Sequence, residues 1–137
     1  MKILLTQFLL FFSLLTISAQ DIQLPEPQKT GGMPLMETLA KRETNRNFTR
    51  DEISTQKLSD LLWAAFGVNR PKGRRTAPSA RNVQETDLYV FIKSGVYIYL
   101  PEKNILKQVV TEDSRTKLPK QEGFTDCPLL LLLVTNY

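Results

Sequence analysis

The sequence predicts an α+β domain in which an antiparallel sheet is flanked by helices, and three stretches carry that prediction. Leu58, Leu61, Leu62, Ala65 and Phe66 recur at helical spacing. LYVFIK, VYIYL and ILKQVV, separated by Ser94-Gly95 and by PEKN, read as three strands of a meander. PLLLLLV, from Pro128 to Val134, is too short to span a membrane and fits a buried strand. With 137 residues, 42% of them hydrophobic and 23% charged, the chain has the size and composition of one folded domain, and neither disorder nor a coiled coil is indicated.

Along the chain, MKILLTQFLLFFSLLTISAQD carries Lys2, a Leu/Phe-rich run to Ile17, and the small residues Ser18 and Ala19 before a polar switch. This is the pattern of a secretory signal over residues 1–19, cleaved after Ala19, and it predicts an exported, periplasmic protein without a stable membrane span. Residues 20–32, rich in Pro, Gly and polar side chains, read as a linker, and the domain is expected over 33–137. Pro34 suits a first helical turn, and Met36, Leu39 and Ala40 give a short apolar face that ends at Arg42. Ser54 suits an N-cap, Ile53 and Leu58 a hydrophobic staple, and Gly67 a helix stop. Within VYIYL, Val96, Ile98 and Leu100 alternate with Tyr97 and Tyr99, which separates an aliphatic face from an aromatic one. Few elements remain to cover a buried strand at 128–134, so the domain reads as truncated, with exposed apolar surface expected at Leu129–Val134.

The chemistry open to the chain is narrowed by what it lacks. Histidine is absent and Cys127 is the sole cysteine, which removes Ser-His-Asp and Cys-His catalysis, an internal disulfide and the commonest zinc sets. No metal ligands are assigned. The net charge is +4, and its excess is concentrated between Arg70 and Arg81, so an anionic ligand is expected. In KRETNRNF, Arg42 and Arg46 flank Thr44, an arrangement that can bind phosphate but that, taken alone, reads first as a solvated helix end. No nucleic-acid recognition motif accompanies it, and nucleic acid is not an expected partner. In RRTAPSARNVQ, Pro78 and Ser79 restrict the backbone while Asn82 and Gln84 offer donors and acceptors two residues apart; Arg74 and Arg75 read as a solvated approach.

Taken in order, a polar turn with Arg42, Thr44 and Arg46, the LLWAAFGV helix and the PSARNVQ loop before a strand resemble the FMN-dependent nitroreductase family. KRETNRNF is similar to its Arg-x-Ser/Thr-x-Arg/Lys-x-Phe pattern, and PSARNVQ to its Pro-Ser-x-x-Asn-x-Gln loop. GVYIYLPEKNILKQV resembles the hairpin of the branch containing peptide-azoline oxidases. Two departures are that Glu85-Thr86 replaces a common Pro-Trp, and that Arg81 stands where a smaller residue is frequent.

The resemblance implies a nitroreductase-like fold, represented by its N-terminal portion, and FMN as cofactor. It implies Arg42 and Arg46 at the FMN phosphate and ribityl end with Thr44 close by, Pro78 and Ser79 against the isoalloxazine, Asn82 on its polar edge, and Gln84 beside them. It further implies hydride transfer through flavin N5 to or from a small nitro, quinone or similar molecule, with NAD(P)H the usual electron donor and a homodimer as the full-length assembly. No side-chain nucleophile is needed, since the flavin carries the chemistry. Two alternatives stay open from the sequence. The chain could be a non-catalytic exported module that binds an anionic ligand, or an inactive truncated nitroreductase.

Overall fold

The computed structural model describes residues 20–118 and 127–135. The expected signal segment 1–19, residues 119–126 of the polar connection, and Asn136 and Tyr137 lie outside the described residues. The rest forms the expected α+β arrangement. Its helices are α1 (Leu35–Lys41) and α2 (Thr55–Phe66), and its strands are β1 (Ile22–Gln23), β2 (Val68–Arg70), β3 (Arg74–Arg75), β4 (Thr86–Ile92), β5 (Gly95–Leu100), β6 (Ile105–Val110) and β7 (Leu130–Thr135). The main sheet runs β1-β6-β5-β4-β7, with every neighbouring pair antiparallel, and β2 and β3 form a separate ribbon.

Helix α2 forms where its apolar spacing requires. The Ser54 hydroxyl accepts from Lys57 N–H, and Leu58, Leu62 and Phe66, successive positions on one helical face, are buried. They pack with Leu88 and Val90 of β4, Tyr97 and Tyr99 of β5, Leu106 of β6, and Leu24. Gly67 ends the helix as expected, but at φ −72° it is not left-handed. Glycine is required there by space, because a Cβ would lie 2.3 Å from Trp63 Cδ1. Trp63 in turn donates from its indole to the Val68 carbonyl, which fixes the entry into β2.

Two expectations are corrected, and one point the sequence leaves open is decided. Residues 20–32 are not simply a linker, because Ile22 and Gln23 pair with Leu106 and Ile105 and Leu24 is only 3% exposed. The reason is a polar clasp that sequence spacing does not announce. The Pro25 carbonyl accepts from Ser59 Oγ at 2.6 Å and from Asn104 Nδ2 at 2.8 Å, and Tyr99 donates to Asn104 Oδ1 at 3.1 Å. Second, the aromatic face of β5 is the one that meets α2, and both tyrosines are buried. Their hydroxyls find polar partners at the rim, Asn104 for Tyr99 and Ser94 and Gln108 for Tyr97, as buried phenols require.

Third, the strand at 128–134 is not buried. Among the described residues β7 pairs along one side only, with β4, and Leu131, Leu132 and Leu133 are exposed, the exposed apolar surface anticipated for that segment. The register sets Leu131 opposite Val90 and Leu133 opposite Leu88, so these leucines share the sheet face on which α2 lies. Arg115 braces the residues just before this strand. Its guanidinium grips Asp113 in two bonds and donates to the carbonyls of Cys127 and Pro128. The guanidinium bonds to Asp113 hold its carboxyl below the ordinary range.

Candidate ligand cavity beside the 78–84 loop

The connection from α2 to β4 builds the site. Pro71, Lys72 and Gly73 turn β2 into β3, with Lys72 and Gly73 at positive φ, so the expected basic loop contains a hairpin. The chain then passes through Ala77 and Pro78 into a short 3-10 turn over Ala80–Asn82. Arg81, Asn82 and Gln84 all sit at positive φ, between 53° and 58°. Three non-glycine residues in the left-handed region within four positions are held there by side chains. Ser79 Oγ accepts from Gln84 N–H at 2.8 Å and lies 3.4 Å from Glu85 Oε2, to which it donates. Gln84 Nε2 donates to the Gly73 carbonyl at 2.6 Å and to Asn82 Oδ1 at 3.1 Å. Ser79 and Gln84 thus act within the loop, tying it to itself and to the β2–β3 turn.

The loop borders a cavity of about 310 Å³ lined by Ala65 and Phe66 of α2, Pro78, Ser79 and Gln84 of the loop, and Leu88, Leu131 and Leu133 of the sheet, among others. Its position follows from the sheet order. α2 covers the β4–β6 face, and the open space above β7 remains beside the helix end. Pro78, Ser79 and Gln84 meet here, and Asn82 is joined to them through Gln84. Arg42, Thr44 and Arg46 do not line this cavity; they lie on the exposed segment that follows α1. Arg42 caps α1, and the neighbouring turn is held by Asn47 N–H donating to Asn45 Oδ1.

Arg75 is the residue the sequence reading passed over. Rather than standing in solvent, its side chain is 14% exposed, lies 4.5 Å from the Phe66 ring centroid and lines the cavity. Its neighbour Arg74 is exposed. The sequence signal was the Pro-Lys-Gly turn, which reverses the chain and sets the two arginines of an antiparallel ribbon in different surroundings. Among the described residues, no group of three or more His, Cys, Asp or Glu side chains could hold a metal, and no helix is long and apolar enough to cross a membrane.

Comparison with known proteins bears on what this scaffold is. The model of the Nitroreductase family matches residues 39–137. The chain belongs to the nitroreductase family. It is 29% identical over 127 residues to the Methanocaldococcus jannaschii protein named "Putative nitroreductase MJ1384", covering 85% of this chain and 63% of that relative. The crystal structure of a "putative nitroreductase" from Ralstonia eutropha JMP134 superposes with a TM-score of 0.80 at 42% identity, over 85% of this chain and 56% of the other. A second structure, from Anabaena variabilis ATCC 29413, shares the fold at 17% identity with a TM-score of 0.67, over 85% of this chain and 27% of the other. The nitroreductase-family chain therefore spans 56–63% of the first two relatives.

Proposed function

We propose that the chain serves an FMN-dependent oxidoreductase of the nitroreductase type, acting on a small organic molecule such as a nitro compound or a quinone. The observation that carries this reading is the 78–84 loop, a strained, internally bonded turn beside an apolar cavity, in a chain that belongs to the family. FMN, when bound, supplies hydride transfer at N5. The donor set fits it. The guanidiniums of Arg42 and Arg46 are exposed and bond no other described residue, and with Thr44 they suit a phosphate. Pro78 offers a flat apolar wall. The Asn82 side-chain N–H groups meet no partner among the described residues and suit a polar ring edge. Ser79 and Gln84 hold that edge in place.

The full assembly, on this reading, is an exported homodimer released from its signal after Ala19. NAD(P)H is the family's usual donor, and an exported enzyme would draw electrons from another source or run as a substrate oxidase. The non-catalytic alternative rests on the exposed Arg70, Lys72 and Arg74 of the ribbon and predicts anion binding without flavin.

Thermal unfolding with FMN and with riboflavin separates them. FMN should raise the midpoint by more than riboflavin does, and Arg46→Ala should weaken FMN about 10- to 100-fold, as loss of a charge-assisted phosphate contact implies. No response to FMN would overturn the flavin reading.

A further inference from the structure

The cavity holds one charged side chain among its lining residues, and that side chain is incompletely bonded. A guanidinium has five N–H donors. In Arg75, Nη1 reaches the Thr86 carbonyl at 3.4 Å and Nη2 reaches Glu102 Oε1 at 3.3 Å, while Nε is buried with no hydrogen-bond partner. Charge-assisted bonds of this kind normally close to about 2.7–2.9 Å, so both contacts are long. A largely desolvated cation with unspent donors is costly, and each such group in a native protein calls for an acceptor. Glu102, in the turn between β5 and β6, is 53% exposed and can return to water at small cost.

We propose that Arg75 selects the small molecule by binding a carboxylate that it carries, exchanging Glu102 for the incoming anion. The proposal rests on reading this cavity as the substrate side of the site. Release of Glu102 frees Nη2, and a small rotation of the guanidinium, still stacked on Phe66, brings Nε to the same carboxylate. The ion pair is kept, and Glu102 is the counter-ion of Arg75 when the cavity has no ligand. Around Arg75 the walls from Ala65, Leu88, Leu131 and Leu133 are apolar, and about 310 Å³ lies at the small end of ligand cavities. The chemical class is a compact aromatic or similarly flat carboxylic acid.

Isothermal titration with 4-nitrobenzoate and its methyl ester, which differ only in the charged group, tests this. The native chain should bind the acid about 10-fold or more tightly than the ester, the effect of one charge-assisted contact. Arg75→Gln should level the two, Arg75→Lys should restore part of the preference, and Glu102→Gln should tighten the acid several-fold while leaving the ester unchanged. Because Glu102 is at the surface, its variant decides the matter even where Arg75→Gln fails to fold by circular dichroism. Equal binding of acid and ester, binding of neither, or weakening of the acid by Glu102→Gln would overturn the proposal. FMN thermal shifts on the same samples keep the readings apart. A carboxylate preference without an FMN response defeats only the flavin assignment, and an FMN response without the preference defeats only this one.

Discussion

Tyr99 shows how single residues fix this molecule. Its ring is 3% exposed under α2, and its hydroxyl donates to Asn104, which also reaches Pro25 and Ser59. Burial pushes the phenol up to about 12, with the Glu102 and Glu26 carboxylates adding to the shift. Since the unfolded chain releases this proton near 10.0 and the folded chain retains it, stability is fully present below pH 10 and falls as pH rises from 10 towards 12. Urea unfolding of Tyr99→Phe across that range should show a flatter alkaline decline than the native protein, although the variant is less stable at neutral pH; an unchanged slope would contradict the assignment. The alternation of Tyr97 and Tyr99 with aliphatic neighbours was legible in the sequence. Which face turns inward was not, because both faces of β5 carry large apolar groups. Arg75 was obscured similarly, since a basic run looks solvated until the ribbon divides it.

At the scale of elements, α2 and the meander follow from periodicity and caps, and they are the parts the sequence reading located most fully. Gly67 stops α2 where the sequence places the stop, and the reason is its close approach to Trp63. Gly67→Ala should therefore push Trp63 off its bond with Val68 and cost about 1–3 kcal/mol in chemical denaturation, the scale of an overpacked contact. A neutral effect would show that Trp63 moves freely. β1 escaped the reading because two residues are too few for periodicity and their clasp depends on Asn104, about eighty positions away. The Leu129–Val134 run signals strand but does not say how many neighbours the strand has, and β7 pairs on one side only among the described residues.

The whole molecule carries a family fold in which the loop at 78–84 is readable from order and composition and the cavity beside it is not. Pro78, Ser79 and Gln84 meet there, whereas Arg42, Thr44 and Arg46 lie on a separate exposed segment. Spacing in sequence suggests which residue types could serve one ligand, and the distance between those two segments is set by tertiary packing, which no local pattern encodes. The central claim is that both segments serve one flavin, whether within one chain or between two copies. A crystal structure of the chain grown with FMN measures this directly. The account predicts the phosphate on Arg42 and Arg46 and the ring system against Pro78 with its polar edge on Asn82; flavin bound away from the 78–84 loop would contradict it.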